Sequence, residues 1–74
     1  MTGLRKANAA REEARLHRMA ALADFAIAAR QASPWAMSKT IAHDFAKVSN
    51  TGTASARSML TELEQLGLVP RRRT

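Results

Sequence analysis

A long stretch near the start of this chain lacks both glycine and proline, and this constrains the fold more than any other feature. From Leu4 to Gln31 the sequence is rich in alanine, arginine, leucine and glutamate, which are strong helix formers. The residue before a proline is pushed out of the α region, so Ser33-Pro34 ends this stretch. We therefore expect one long helix from Leu4 to Gln31.

The two halves of this predicted helix differ in character. From Leu4 to Arg15 nearly every residue is charged or alanine. Apolar residues cover most of the circumference of the second half, so only this half has a face to bury: Leu16, Met19, Ala20, Leu22, Ala23, Phe25, Ala26, Ile27 and Ala29. Helical propensity without packing is marginal over about a dozen residues. We therefore expect residues 1–15 to form a basic helical arm, which projects, frays or pairs with another chain, and residues 16–74 to form the folded domain.

A second helix of about ten residues is predicted to begin with Ser38 as its N-cap. Its apolar stripe consists of Ile41, Ala42, Phe45 and Val48. Trp35, in the connection before it, is expected to fill the core between helices, because aromatic residues are otherwise scarce. Residues 49–53 form a polar turn, in which we expect Gly52 to adopt a positive φ.

A third helix is predicted from Thr51 or Thr53, as its cap, to Leu66. The residues expected on its inner face are Ala56, Leu60, Leu63 and, in part, Met59. Gly67 is expected to provide the C-terminal cap.

The order of apolar and small residues in this half of the chain matches a known pattern. Ile41-Ala42, then Phe45, then Val48-Ser49 look like the first helix and turn of a helix-turn-helix. The third segment combines Ala56-Arg57-Ser58-Met59-Leu60 with Leu63-Glu64-Gln65-Leu66-Gly67-Leu68-Val69. It resembles the recognition helix and exit of winged-helix repressors of the multiple-antibiotic-resistance type, over about residues 38–73.

This resemblance implies an all-α fold, or an α fold with a minimal β element at Leu68-Val69-Pro70. The expected architecture is a three-helix helix-turn-helix, or truncated winged helix, with a long N-terminal helix. Two features depart from the family. The turn between Val48 and Ala54 is several residues longer than the tight version, and the sequence ends at Thr74, so we expect any wing to be truncated.

The charge of the chain favours an acidic partner. Its formal net charge is +6 and its pI is about 11.5, and nucleic acid is the commonest partner of a basic domain with a binding fold. The positive residues cluster at both ends, with Arg71, Arg72 and Arg73 closing the chain. A solubilising surface is the alternative explanation of these clusters.

The predicted DNA-binding residues are Lys39, Lys47, Thr53, Ser55, Arg57, Ser58, Thr61, Arg71, Arg72 and Arg73. By resemblance, Thr53, Ser55, Arg57 and Ser58 are the groove-facing positions, and Thr61 flanks them on the helix. Arg57 is the only one able to make a bidentate contact with guanine. The lysines, Arg57 and the two basic ends, which are the arm before Leu16 and the Arg71 to Arg73 tail, are expected to supply the phosphate contacts. The tail would act as a flexible arm on phosphates or in the minor groove.

The sequence lacks the residues that metal binding, cofactor binding or catalysis would need. The chain has no cysteine, and His43-Asp44 is not a metal site without further ligands. There is no glycine-rich phosphate loop and no nucleophile with a paired base, so we expect neither an enzyme nor a cofactor. Without a signal peptide or a membrane-spanning apolar run, a cytoplasmic location is expected.

Two functions remain open from the sequence. The first is a small regulator that binds double-stranded DNA, as a homodimer through the N-terminal helix. The second is an interaction or inhibitor protein of a mobile element that uses a helix-turn-helix scaffold to bind a host protein. RNA binding is disfavoured, because exposed aromatic residues that could stack on bases are lacking.

Overall fold

The computed structural model describes the backbone of residues 2–73 and the side chains of residues 9–73. Helix α1 spans Thr2–Ala32, α2 spans Ser38–Ser49 and α3 spans Thr53–Gln65. No strand occurs between residues 2 and 73, so the fold is all-α and the alternative with a minimal β element is not seen there. The long N-terminal helix is confirmed, and it extends slightly beyond both predicted ends.

Helix α1 is much longer than the other two helices. Its 31 residues correspond to about 46 Å, and the longest dimension of the molecule is 50 Å. Met19 is its first buried side chain among those described, and Leu16 is exposed, so the prediction that Leu16 begins the core face was wrong. Helix α3 does reach α1 at Arg15, one residue earlier, so Leu16 is exposed because no described element covers its side of the helix. None of the described helices is both long enough and apolar enough to cross a membrane.

The core forms where the three helices meet. Its buried apolar residues are Met19, Leu22 and Ala26 of α1, Ile41, Ala42 and Phe45 of α2, Ala56, Met59, Leu60 and Leu63 of α3, and Val69. The predicted inner face of α3 is therefore confirmed. Phe25 and Phe45 pack edge to face, with ring centroids 5.6 Å apart, and join α1 to α2.

Two further apolar residues predicted for the core lie outside it. Val48 is 74% exposed because it lies on the last turn of α2, which no other element covers. Trp35 is 59% exposed, and the core is completed instead by Val69, which folds back after α3. An exposed aromatic side chain is therefore present, so its expected absence no longer argues against RNA binding. Both predictions were wrong for the same reason: helical spacing or size alone does not reveal which positions another element reaches.

The turn between α2 and α3 is shorter than the sequence suggested. It consists of residues 50–52, because α2 continues to Ser49 and the N-cap of α3 is Gly52 rather than a threonine. The residue with positive φ is Asn50, at 58°, whereas Gly52 has φ −66°. Asparagine tolerates the left-handed region well enough to replace glycine there. The predicted long turn and the predicted role of Gly52 were therefore both wrong.

The end of α3 agrees with the prediction. Gly67 has φ 76°. Its N–H donates to the Glu64 carbonyl at 3.1 Å, and the Leu68 N–H donates to the Leu63 carbonyl at 3.0 Å. This pair of hydrogen bonds is a Schellman motif, which directs the following residues back towards the core.

A buried arginine joins all three helices. Arg30 is 4% exposed, and its guanidinium donates to the carbonyls of Ala36 and Pro70 and to Ser38 Oγ. Its Nη1 lies 3.6 Å from Glu64 Oε2. The Ser38 hydroxyl donates in turn to Glu64 Oε1 at 2.7 Å, so it serves this network, and Met37, not Ser38, is the N-cap of α2.

Replacing Arg30 should strongly destabilise the protein. Arg30→Met keeps most of the volume but leaves Glu64 without its cation and two carbonyls without a donor. We expect the free energy of unfolding to fall by about 3–5 kcal/mol, measured by urea denaturation and circular dichroism. The matched control Asp24→Met, at an exposed site in the second half of the same helix, should change it by less than about 0.5 kcal/mol. Equal stability of the two variants would contradict the network.

The two glycines that flank α3 should respond differently to alanine. Gly67→Ala places a Cβ in the left-handed region and should cost about 1–2 kcal/mol of unfolding free energy. Gly52→Ala meets no atom within 4 Å and has an ordinary φ, so loss of the glycine N-cap and reduced unfolded-state entropy roughly offset each other. A large cost at Gly52 would favour the turn predicted from sequence, and no cost at Gly67 would contradict the Schellman motif.

Candidate nucleic-acid interface

The side of α3 opposite the core is exposed and consists mainly of small polar residues. Every α3 residue predicted to contact DNA is exposed, and three of them, Arg57, Ser58 and Thr61, lie on this side. The other two are Thr53 and Ser55. Ala54, Arg57, Ser58, Thr61, Glu62 and Gln65 line one shallow groove along this side. The Thr61 hydroxyl donates to the Arg57 carbonyl at 2.9 Å, which leaves its oxygen free only as an acceptor. We call this side the outer face of α3.

Both carboxylates of α3 are paired with arginines of α1. Glu62 Oε2 lies 2.7 Å from Arg15 Nη2, and Glu64 takes part in the Arg30 network. Arg57, on the same helix, has no salt bridge or side-chain hydrogen bond among residues 9–73. The outer face of α3 is therefore positive, because its acids are neutralised and its arginine is not.

The three terminal arginines do not act as one tail. Arg71 lines a shallow concavity with Ser38, Thr61, Glu64 and Gln65, which places it on one flank of the outer face. Arg72 instead donates from Nε to the Trp35 carbonyl at 3.0 Å, and the backbone N–H of Arg73 donates to the Pro34 carbonyl at 2.8 Å. The structure thus brings Arg71 to α3 and holds the other two against the α1–α2 connection.

The two predicted lysines are exposed on α2. Lys39 lies in its first turn, beside Ser38, and Lys47 lies in its last turn, beside the connection to α3. Neither shares a concavity with the outer face of α3 among those found in the described chain. Their role in phosphate contact stays a prediction.

Two arginines next to α3 were absent from the predicted contact residues. Arg15 and Arg18 of α1 line a cleft of about 490 Å³ against α3. The rest of its wall is formed by Asn50, Thr51, Gly52, Ser55, Ser58, Met59 and Glu62. A helical signal was present, because Arg15 and Arg18 each precede a buried α1 residue, Met19 or Leu22, by four positions. Positions four apart share a helix face, so these arginines had to lie near the elements packed on α1.

The described part of the chain contains no candidate metal site. His17 and His43 are both exposed, and no group of three histidine, cysteine, aspartate or glutamate residues among those described could hold a metal ion.

Comparison with known proteins identifies no relative of this chain. No family model matches this chain, and no curated protein or solved structure is detectably similar to it. The resemblance of residues 38–73 to the winged-helix repressors therefore stays a prediction from the residues themselves.

Proposed function

We propose that this chain is a small DNA-binding protein, acting as a transcriptional regulator, in which α2, the turn and α3 form a helix-turn-helix. Helices in this motif are joined by a turn of three or four residues, and the connection of residues 50–52 has this length. Ala42 and Ala56 are both fully buried in the core, where their small side chains allow close helix approach. The supporting third helix of the motif is α1.

The observation that carries the proposal is that the exposed side of α3 presents Arg57 and small hydroxyl side chains, while Glu62, the carboxylate in its groove, is paired with Arg15. An unpaired carboxylate would repel phosphates, so this pairing favours a face that approaches DNA, whereas Glu64 is paired within the buried Arg30 network. With Glu62 and Glu64 occupied, Arg57 and small hydroxyl side chains are presented to the partner. The major groove of B-DNA is about 12 Å wide and admits an α-helix.

Specific contacts should be few and phosphate contacts numerous. Arg57 can read the O6 and N7 atoms of a guanine, and the remaining exposed side chains of α3 are short. Arg71 and the lysines of α2 would contact phosphates, so affinity should fall steeply with salt. We further propose a homodimer through the N-terminal part of α1, where the described side chains of residues 9–14 are exposed. Such a dimer would bind a site with two half-sites.

A second function is supported by exposed apolar residues away from α3's outer face. Trp35, Met37 and Leu68 are each about half exposed or more. Tryptophan and methionine are enriched in protein interfaces. These residues favour the alternative in which a mobile-element protein uses the same scaffold to bind a host protein.

Substitutions at Arg57 separate these two functions. With a duplex selected from a random pool, Arg57→Ala combined with Ser58→Ala should weaken binding by at least about 1–3 kcal/mol, measured by fluorescence anisotropy at fixed salt. Arg57→Lys is the matched control: it keeps the charge but loses the bidentate fork, so it should retain non-specific binding and lose base preference. Unchanged affinity of the double variant, or no duplex binding by the parent at low salt, would refute DNA recognition by α3.

A further inference from the structure

We propose that the cleft between α1 and α3 binds one phosphodiester group of the DNA backbone through Arg18, while Arg15 neutralises Glu62 at its edge. The inference rests on the proposed function, because it names the phosphate site that accompanies α3 in the groove. It assigns separate roles to two arginines that are only three positions apart.

The two arginines differ in their partners. Arg15 is joined to Glu62 at 2.7 Å, across 47 positions of sequence. Arg18 is exposed and lines the same cleft, and it has neither a salt bridge nor a side-chain hydrogen bond among residues 9–73. Arg18 is therefore the arginine whose donors are available to an incoming anion.

The wall of the cleft suits a phosphate. A guanidinium offers two parallel N–H donors that match two phosphate oxygens. The hydroxyls of Ser55 and Ser58 lie on the opposite side, from α3. Glu62 is the one carboxylate in the wall, and its repulsion of a phosphate is what Arg15 offsets.

The Arg15–Glu62 pair itself is half exposed on both sides. Ion pairs of this exposure contribute little to folding stability, because water and salt screen them. A role in shaping the charge of the cleft explains the pair better than a role in folding.

The position of the cleft is compatible with α3 lying in the major groove of DNA. Ser55, Ser58 and Glu62 are on the flank of α3 that faces α1, whereas Thr61 and Gln65 lead to Arg71 on the other flank. A major groove has a phosphate backbone on each side. The cleft would take a phosphate of one strand while Arg71 faces the other strand.

The first test compares Arg18→Ala with Asp24→Asn on a selected duplex over a range of salt concentrations. Both residues are exposed on α1 and each variant changes one charge, but only Arg18 lines the cleft, and Asp24 lies outside the N-terminal part of α1 that we assign to dimerisation. Arg18→Ala should reduce the slope of log affinity against log salt by about 0.9 for each bound chain, with base preference unchanged. Asp24→Asn should change the slope by less than half as much. An equal change of slope in the two variants would overturn the cleft assignment.

The second test is a double-mutant cycle at the Arg15–Glu62 ion pair. Glu62→Gln should tighten binding, and Arg15→Ala should weaken it in the parent but much less in the Glu62→Gln background. An equal loss in both backgrounds would mean that Arg15 contacts DNA directly, which overturns its assigned role. Circular dichroism melting should show that all four proteins are folded.

Different results would overturn the phosphate cleft and the proposed DNA-binding function. If Arg18→Ala leaves the slope unchanged while Arg57→Ala abolishes base preference, the cleft is wrong and the proposed function stands. If the parent protein binds no duplex, both are overturned.

Discussion

Arg30 is the residue on which the arrangement of this small protein depends. A buried guanidinium is costly unless its donors are satisfied, and here the partners come from every part of the fold: the α1–α2 connection, Ser38 of α2, Glu64 of α3 and the Pro70 carbonyl. These partners fix the segment after α3 against the body. They thereby seat Val69 in the core and position Arg71 beside α3.

Helix α1 also determines the charge that α3 presents. It supplies the arginines that pair with both carboxylates of α3, Arg30 at one end of the helix and Arg15 nearer the middle. The first pair is buried and structural, and the second is exposed and leaves folding nearly unaffected. In our proposal the long helix does more than support the motif, because it gives the outer face of α3 the positive character that DNA binding requires.

The sequence predicted the helices, the inner face of α3 and the Gly67 cap because these follow from local periodicity and backbone preference. It failed where another element decides the outcome, as for exposed Trp35 and for Asn50, which takes the positive φ expected of glycine. Arg30 was not foreseen, because an arginine is almost never buried unless it is paired. For the candidate site, the exposed residues of α3 were identifiable, but the Arg15–Glu62 pair, 47 positions apart, was not.

The central claim is that the outer face of α3 meets duplex DNA. Titration of the isotope-labelled protein with a selected duplex, followed by NMR amide shifts at physiological salt, tests it most directly. Our account predicts the largest changes in Thr53–Gln65 and in the Nε–H signals of Arg18 and Arg57, with little change at Trp35 or Leu68. Changes centred on Trp35 and Leu68, with α3 unaffected, would contradict it.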